Sequence, residues 1–381
     1  MRKIYFDNAA TTPLRGEVIS RMQEALADCF GNPSSTHAFG RSAKTEIEQT
    51  RKEIAKTINA HPSEIVFTSG GTEADNMVLR SAVKDLGVKT IITSKIEHHA
   101  VLHVVESLEE EYGIRVCYVS LDSFGNPKLD HLEELLKEEG HKKLVSLMHV
   151  NNEIGNLIDI DRVGLLCKEH GALLHSDTVQ SVGHFQWDVQ KSSIDFMAAA
   201  AHKFHGPKGI GFAYIRKGLP INPLILGGSQ ERGSRAGTEA LHNIVGLREA
   251  FVSAYKDLEE EKAYISGLKT YFIEQIGNKI PNAQFNGHSG DLDKSTYTLV
   301  NVCLDISEEK ALMLLFHLDL KGIACSKGSA CQSGASGTSH VLNAILSEED
   351  LKKPSLRFSF SKYNTKEEID YVLETLKEFC D

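Results

Sequence analysis

From about residue 64 the chain alternates short apolar runs with longer amphipathic ones. EIVFT (64–68) leads through Ser-Gly-Gly into TEADNMVLRSAVKD, KTIITS (89–94) precedes HHAVLHVVESLEEE, and IRVCYVSLD precedes KLDHLEELLKEEG. KLVSLMHV (143–150) and ALLHSD (172–177) flank the helical DRVGLLCKEHG. The short runs are apolar throughout rather than alternating, which is how strands read when helices cover both faces of a parallel sheet. The pattern predicts an α/β fold, with ligand chemistry at the carboxyl ends of the strands.

Further along the character changes. Residues 242–276, HNIVGLREAFVSAYKDLEEEKAYISGLKTYFIEQI, read as one long helix. After it, strands such as TYTLVNVCL (296–304) and SLRFSFS (355–361) mix with helices. The last helix opens with a capping box, Thr365 to Glu368, and lines up Ile369, Val372, Leu373, Leu376 and Phe379 on one face. These shifts predict a large domain over 16–259, a smaller α+β domain over 260–381, and an N-terminal segment, 1–15, packing with the small domain. No internal repeat is visible, and the low-complexity stretch is SKGSACQSGASGTS (326–339).

Composition narrows the class. Of 381 residues, 41% are hydrophobic and 25% charged, as in an average soluble globular chain, and no apolar run approaches a membrane span. The opening MRKIYFDNAATTP has no apolar h-region, so no export signal is expected. Seven scattered cysteines without a CxxC pair suit a reducing compartment, most simply the cytoplasm. A formal net charge of -10 argues against direct nucleic-acid binding, which needs a basic face.

Against that background AAAAHKFHGPKGIGF (198–212) stands out, because it drives Lys203 to the end of an apolar run and surrounds it with turn residues. A lysine there either reaches back to water or has its charge removed by chemistry. SGGTEADN (69–76) joins a strand to a helix; its glycines and helix amides suit a phosphate, or it is a plain turn capped by Thr72. Asp177 ends the apolar ALLHSD, either capping the next helix or facing a cationic heterocycle. His98 is either structural or a flat stacking group. His99 and His103 stand four apart, but without an HExxH pattern or an acidic third ligand they do not argue for a metal. Each is ambiguous alone. Together, a phosphate cradle, an acid for a ring nitrogen, a flat stacker and a desolvated lysine fit pyridoxal 5′-phosphate, whose aldehyde condenses with a lysine amine.

Nine stretches carry a resemblance: YFDNAATTP (5–13), GNPSSTHAFGR (31–41), TSGGTEADN (68–76), HVNNEIG (149–155), HSDTVQSVGH (175–184), HKFHGPKGIG (202–211), GGSQERGSRAGT (227–238), GSAC (328–331) and RFSFSKYNT (357–365). In these, and in their order, the chain resembles the cysteine desulfurases of the NifS/IscS type, class-V members of the fold-type-I pyridoxal-phosphate enzymes. The resemblance implies a large domain built on a mostly parallel, seven-stranded type of sheet and a smaller C-terminal domain. It makes Lys203 the lysine that carries the cofactor and later the base that moves the substrate's α-proton. His98 becomes the stacking histidine, Asp177 the pyridinium partner, and Gln180 the donor to the phenolic oxygen. Gly71, Thr72 and His202 fall in the phosphate cup, and Thr238 is supplied to the phosphate by a neighbouring subunit, so a homodimer with shared active sites is implied. Asn152 and Arg357 hold the substrate carboxylate.

The resemblance makes Cys331 the nucleophile that takes sulfur from L-cysteine, leaving L-alanine and a persulfide for an acceptor such as an iron–sulfur scaffold. Small polar residues surround it, whereas Cys325 ends the apolar LKGIAC and reads as structural. Two departures stand out. Ala200 replaces the family's usual phosphate-binding serine, a contact that Ser229, Ser234 or water would have to supply. After Cys331 the run GASGTSHVL (334–342) keeps the family's length with altered chemistry. The rival readings are a selenocysteine lyase, an aminotransferase of the same fold, and a non-catalytic sulfur-assembly scaffold.

Overall fold

The computed structural model describes residues 3–327 and 339–380. A short strand, β1 (Ile4–Tyr5), precedes two helices, α1 (Gly16–Asp28) and α2 (Ala38–Thr57). Then the alternation runs β2 (Ile65–Thr68), α3 (Gly71–Lys84), β3 (Thr90–Thr93), α4 (His99–Tyr112), β4 (Arg115–Tyr118), α5 (Leu129–Lys137), β5 (Lys143–Ser146), α6 (Ile160–Glu169) and β6 (Leu173–Asp177). Two further strands, β7 (Phe196–Ala200) and β8 (Gly211–Ile215), complete the sheet.

The seven strands lie in the order β2-β8-β7-β6-β5-β3-β4. All neighbours are parallel except β8, which runs antiparallel to both β2 and β7. Period-two alternation feeds two cores from one sheet. Phe67, Ile92, Val145 and Met197 join the core under α1, α2, α6 and the helix that follows the sheet. Val66, Ile91, Leu144 and Ala198 join the core under α3 and α4. Because both faces are covered, the strands carry no polar stripe, as their sequences indicate.

Beyond the sheet come α7 (Leu241–Lys256), α8 (Leu258–Lys279), β9 (Gln284–Phe285), β10 (Leu299–Cys303), α9 (Glu308–Leu320), β11 (Ile323–Ala324), α10 (His340–Ile345), β12 (Ser355–Ser359) and α11 (Lys366–Cys380). The expected single helix over 242–276 is therefore two, broken at Asp257 (φ -102°, ψ 13°). Aspartate is a poor interior helix residue, and Glu259, Glu260 and Glu261 after it favour a helix N-terminus, where acids meet the positive end of the dipole. The break also separates two cores. Ile244, Val245, Leu247 and Phe251 of α7 pack on the seven-stranded sheet, whereas Ile265, Leu268, Phe272 and Ile276 of α8 pack against β10, β12 and α11.

The second core has a three-stranded antiparallel sheet, β12-β10-β9, and a parallel pair of β1 with β11. Ile4 and Phe6 bury into it, and the expected apolar face of α11 is there, with Ile369, Val372, Leu373 and Leu376 buried and Phe379 partly so. From residue 9 onward the N-terminal segment turns away, toward the end of β7. Thr12 donates its N–H and its hydroxyl to the His202 carbonyl, both at 2.9 Å, and the His205 N–H donates to Thr12 Oγ1 at 2.8 Å. One short segment thus bridges the two cores. Among the described residues no helix is long and apolar enough to cross a membrane.

Candidate active site

A cavity of about 190 Å³ lies at the carboxyl ends of the central strands. Its lining includes Gly71, Thr72, His98, Asn152, Asp177, Gln180, His202, Lys203 and Arg357. Cys331 lies outside the described residues. Thr238 is exposed and sits elsewhere, with Phe67, Ser69 and Gly209. Its loop is pinned to the sheet by Arg51, which donates twice to the Glu231 carboxylate, at 2.8 and 2.9 Å, while the Phe67 N–H donates to the same carboxylate at 2.9 Å. Within this chain neither Ser229 nor Ser234 lines the cavity, whereas Ala200 does.

Each strand end delivers one group. The turn after β2 passes through Gly70 at φ 155°, a conformation for which glycine carries no penalty. Gly70, not Thr72, is therefore the N-cap of α3, and Thr72 faces the cavity from the first turn. The N–H groups of that turn have no carbonyl four residues back, which makes it an anion site. Gly71 is also needed for its size, since a Cβ there would stand 2.5 Å from Val179 Cγ2.

His98 caps α4, its Nδ1 accepting from the Ala100 N–H at 3.1 Å. That bond places the proton of the neutral ring on Nε2. At the end of β6, Asp177 Oδ1 accepts from the Val179 N–H at 2.9 Å. Burial nevertheless raises the Asp177 carboxyl to about 6, so a cation opposite it would restore the carboxylate. Lys203 closes a 3-10 turn, Ala201–Lys203, directly after β7. Its Nζ donates to the carbonyls of Ala9 at 2.6 Å and Ala10 at 2.9 Å. Gln180 Nε2 donates to the same Ala9 carbonyl at 2.9 Å, and His202 Nδ1 meets Thr11 Oγ1 at 3.2 Å. Arg357, on β12, reaches in from the second core.

These groups could hold a phosphate, a flat ring with a basic nitrogen, an aldehyde and a carboxylate. The sequence did not mark Ala9 and Ala10, which act through backbone carbonyls, nor Met148 and Val179 in the walls. Asp75 was also missed; burial, with Asp177 and Glu97 nearby, pushes its carboxyl well above the usual range. Cys325 packs against the second core, and burial pushes its thiol up to about 12.

Several buried or half-buried imidazoles are shifted in the same direction. Burial holds His98, His149, His202 and His205 down to about 4, and His175 to about 3, against an ordinary 6.5. Such bases contribute stability above pH 6.5 that is lost as the pH falls through their folded values. Asp177, at about 6, and Glu97, raised by burial to about 8, act oppositely: their contribution is present in acid and lost as the pH rises through those values. With His99 and His184, which burial also lowers, the depressed imidazoles number seven among the described residues and outnumber the five raised carboxyls Asp75, Glu97, Asp177, Asp195 and Glu239. The cofactor-free protein should therefore melt highest at about pH 6 to 7 and several degrees lower at about pH 5. Thermal denaturation across that range checks this, and a midpoint that climbs on acidification would contradict it.

The aminotransferase class-V family model matches residues 4–372. A cysteine desulfurase IscS of Dictyoglomus turgidum is 41% identical over 382 residues, covering 100% of this chain and 95% of its own length. Among solved structures, a NifS-like protein superposes with a TM-score of 0.89 at 35% identity, covering 99% of each chain. SspA in complex with cysteine does so at 0.81 and 34% identity, over 95% of this chain and 100% of its own. With the family model, the sequence relatives and the solved structures in agreement along nearly its whole length, the chain belongs to the class-V aminotransferases and, within them, to the cysteine desulfurases.

Proposed function

We propose that the chain is a pyridoxal 5′-phosphate-dependent cysteine desulfurase, taking sulfur from L-cysteine, releasing L-alanine and holding a persulfide on Cys331 for an acceptor protein. The observation that carries this reading is the convergence of the Lys203 amine, the Asp177 carboxyl, the His98 imidazole and the Arg357 guanidinium on one cavity. When bound, the cofactor supplies an aldehyde that condenses with amino groups and a ring that accepts the electron pair left at Cα.

The residues divide the remaining work. The first turn of α3, with Gly71, Thr72 and His202, would hold the phosphate. Asp177 would keep a proton on the ring nitrogen, Gln180 would donate to the phenolic oxygen, and His98 would lie against the ring as a neutral imidazole. Lys203 anchors the cofactor and then, as a free amine, takes the substrate's α-proton. Asn152 and Arg357 hold the carboxylate. The Cys331 thiolate attacks the substrate sulfur; an S–S bond forms as the C–S bond breaks, and the bonding pair stays on carbon. Protonation there gives the methyl group of L-alanine. No outside oxidant is needed, because carbon gains the electrons that sulfur gives up.

The active unit in this reading is a homodimer in the cytoplasm, with the partner subunit's Thr238 completing the phosphate site. Exposed apolar side chains on and beside α1 and α2, Leu26, Phe30 and Phe39, together with Leu226, support such a face. The division between large and small domains falls near residue 259, and the acceptor is a sulfur carrier such as an iron–sulfur scaffold. Product analysis tests the reaction: cofactor-loaded protein given L-cysteine and a reductant should release L-alanine and sulfide in equal amounts. Sulfide with pyruvate in place of alanine would refute it.

A further inference from the structure

Arg357 is 1% exposed. Its Nη1 donates to the Asn152 carbonyl at 2.7 Å and its Nη2 to Asp7 Oδ1 at 3.0 Å. Its Nε is enclosed and has no partner among the described residues, and the side chain as a whole lines the cavity. A guanidinium is planar, so fixing both terminal nitrogens also fixes where the Nε–H points. A cation this deeply buried needs a counter-charge, and Asp7 supplies it.

Asp7 is itself held on several sides. Its Oδ1 also accepts from Ser326 Oγ at 2.6 Å. Its carbonyl accepts from the N–H groups of Ala10 and Thr11, at 3.0 and 3.3 Å, and its backbone bridges Ser359 on β12, the strand that carries Arg357. The orientation of one guanidinium is thus set from a separate part of the chain, which also presents the Ala9 and Ala10 carbonyls to Lys203.

We propose that Asp7 is a positioning residue for the substrate carboxylate: by holding Nη2 it fixes the plane of Arg357 and so the direction from which the guanidinium meets the incoming anion in the cavity. This rests on reading Arg357 as the carboxylate's partner. Because Asp7 already balances the charge, anions are not attracted indiscriminately, and recognition depends on matching that direction. The carboxylate of cysteine, rather than its amine or thiol alone, becomes the recognised feature.

The test uses cofactor-loaded wild type, D7A, D7N and R357A, with L-alanine and its decarboxylated counterpart, ethylamine, as competing ligands. D7A should weaken L-alanine and raise KM for L-cysteine by about tenfold, with kcat little changed and ethylamine binding unaltered. D7N keeps an oxygen that can accept from Nη2 and should weaken L-alanine by about threefold; it carries the comparison if D7A does not load cofactor. Wild-type L-alanine affinity in either variant, or equal weakening of ethylamine, overturns the proposal. If R357A loses the preference for L-alanine and D7A keeps it, only the role of Asp7 falls. If R357A keeps the preference, the underlying reading of Arg357 falls too.

Discussion

Lys203→Ala is expected to leave a folded protein in which borohydride no longer fixes the cofactor ring to the chain, with turnover reduced about 10⁴-fold or more. The fold should survive because the turn is held by contacts that do not use the amine. The amine's acceptors include the carbonyls of Ala9, which keeps Gln180 Nε2 as a donor, and Ala10. The backbone of the turn is held independently, by Thr12 on the His202 carbonyl and by His184 Nε2 on the Lys203 carbonyl at 3.0 Å. Chemistry should fail for two reasons at once: the anchor is lost, and so is the base for the α-proton. Circular dichroism separates this from unfolding. Wild-type turnover in the variant would remove the proposed mechanism.

Cys331→Ala should separate cofactor from sulfur. The substituted protein is expected to keep the colour of bound cofactor, while alanine and sulfide formation from L-cysteine falls to background. No described cysteine is placed to substitute. None lines the cavity among the described residues, and Cys325, whose thiol burial pushes up to about 12, is protonated at neutral pH. Alkylation and mass measurement after a single turnover should find the extra sulfur on residue 331 in the wild type and nowhere in the variant. Release at the wild-type rate would rule out the persulfide route. Selenocysteine gives a useful contrast, because selenium can leave without a nucleophile: activity kept with selenocysteine and lost with cysteine assigns the thiol to sulfur transfer alone.

The parts of the fold that depend on apolar runs of fixed length were legible. EIVFT, KTIITS, KLVSLMHV and ALLHSD became β2, β3, β5 and β6, and the amphipathic stretches between them became helices. The strands β7 and β8 were harder to read. FMAAA is mostly alanine, which favours helix when taken alone, and GFAYI follows a Gly- and Pro-rich loop that reads as a turn. What makes β7 a strand is its place between β6 and β8, a tertiary effect that no local preference encodes. The break at Asp257 was visible in the acids that follow it, but the unbroken run of helix-compatible residues concealed it.

The same division holds at the cavity. Lys203, Asp177 and His98 carry their chemistry in the side chain and end or cap recognisable elements, so their types and positions were informative, whereas Arg357, inside β12, was reached only through the family resemblance. Ala9 and Ala10 contribute only carbonyl oxygens, which every residue has, and a pattern of side chains cannot single them out. Asp75 lies on the first helix after the glycine turn, where an acid looks like an ordinary response to the helix dipole. Only its burial shows that it is something else.

The bridging of both cores by one short N-terminal segment has a bearing on biosynthesis. Ala9 donates its N–H to Ser359 Oγ, a residue translated 350 positions later, and Asn8 reaches the Ser359 carbonyl across 351. The large sheet can assemble while the ribosome is still at work, and the N-terminal segment can meet residues 202–205 there, but the part of it that orients Arg357 lacks its second anchor until β12 emerges. Nascent or truncated chains that stop short of that strand would thus have a formed sheet yet an incomplete reaction centre, which ties the onset of reactive sulfur chemistry to completion of the polypeptide.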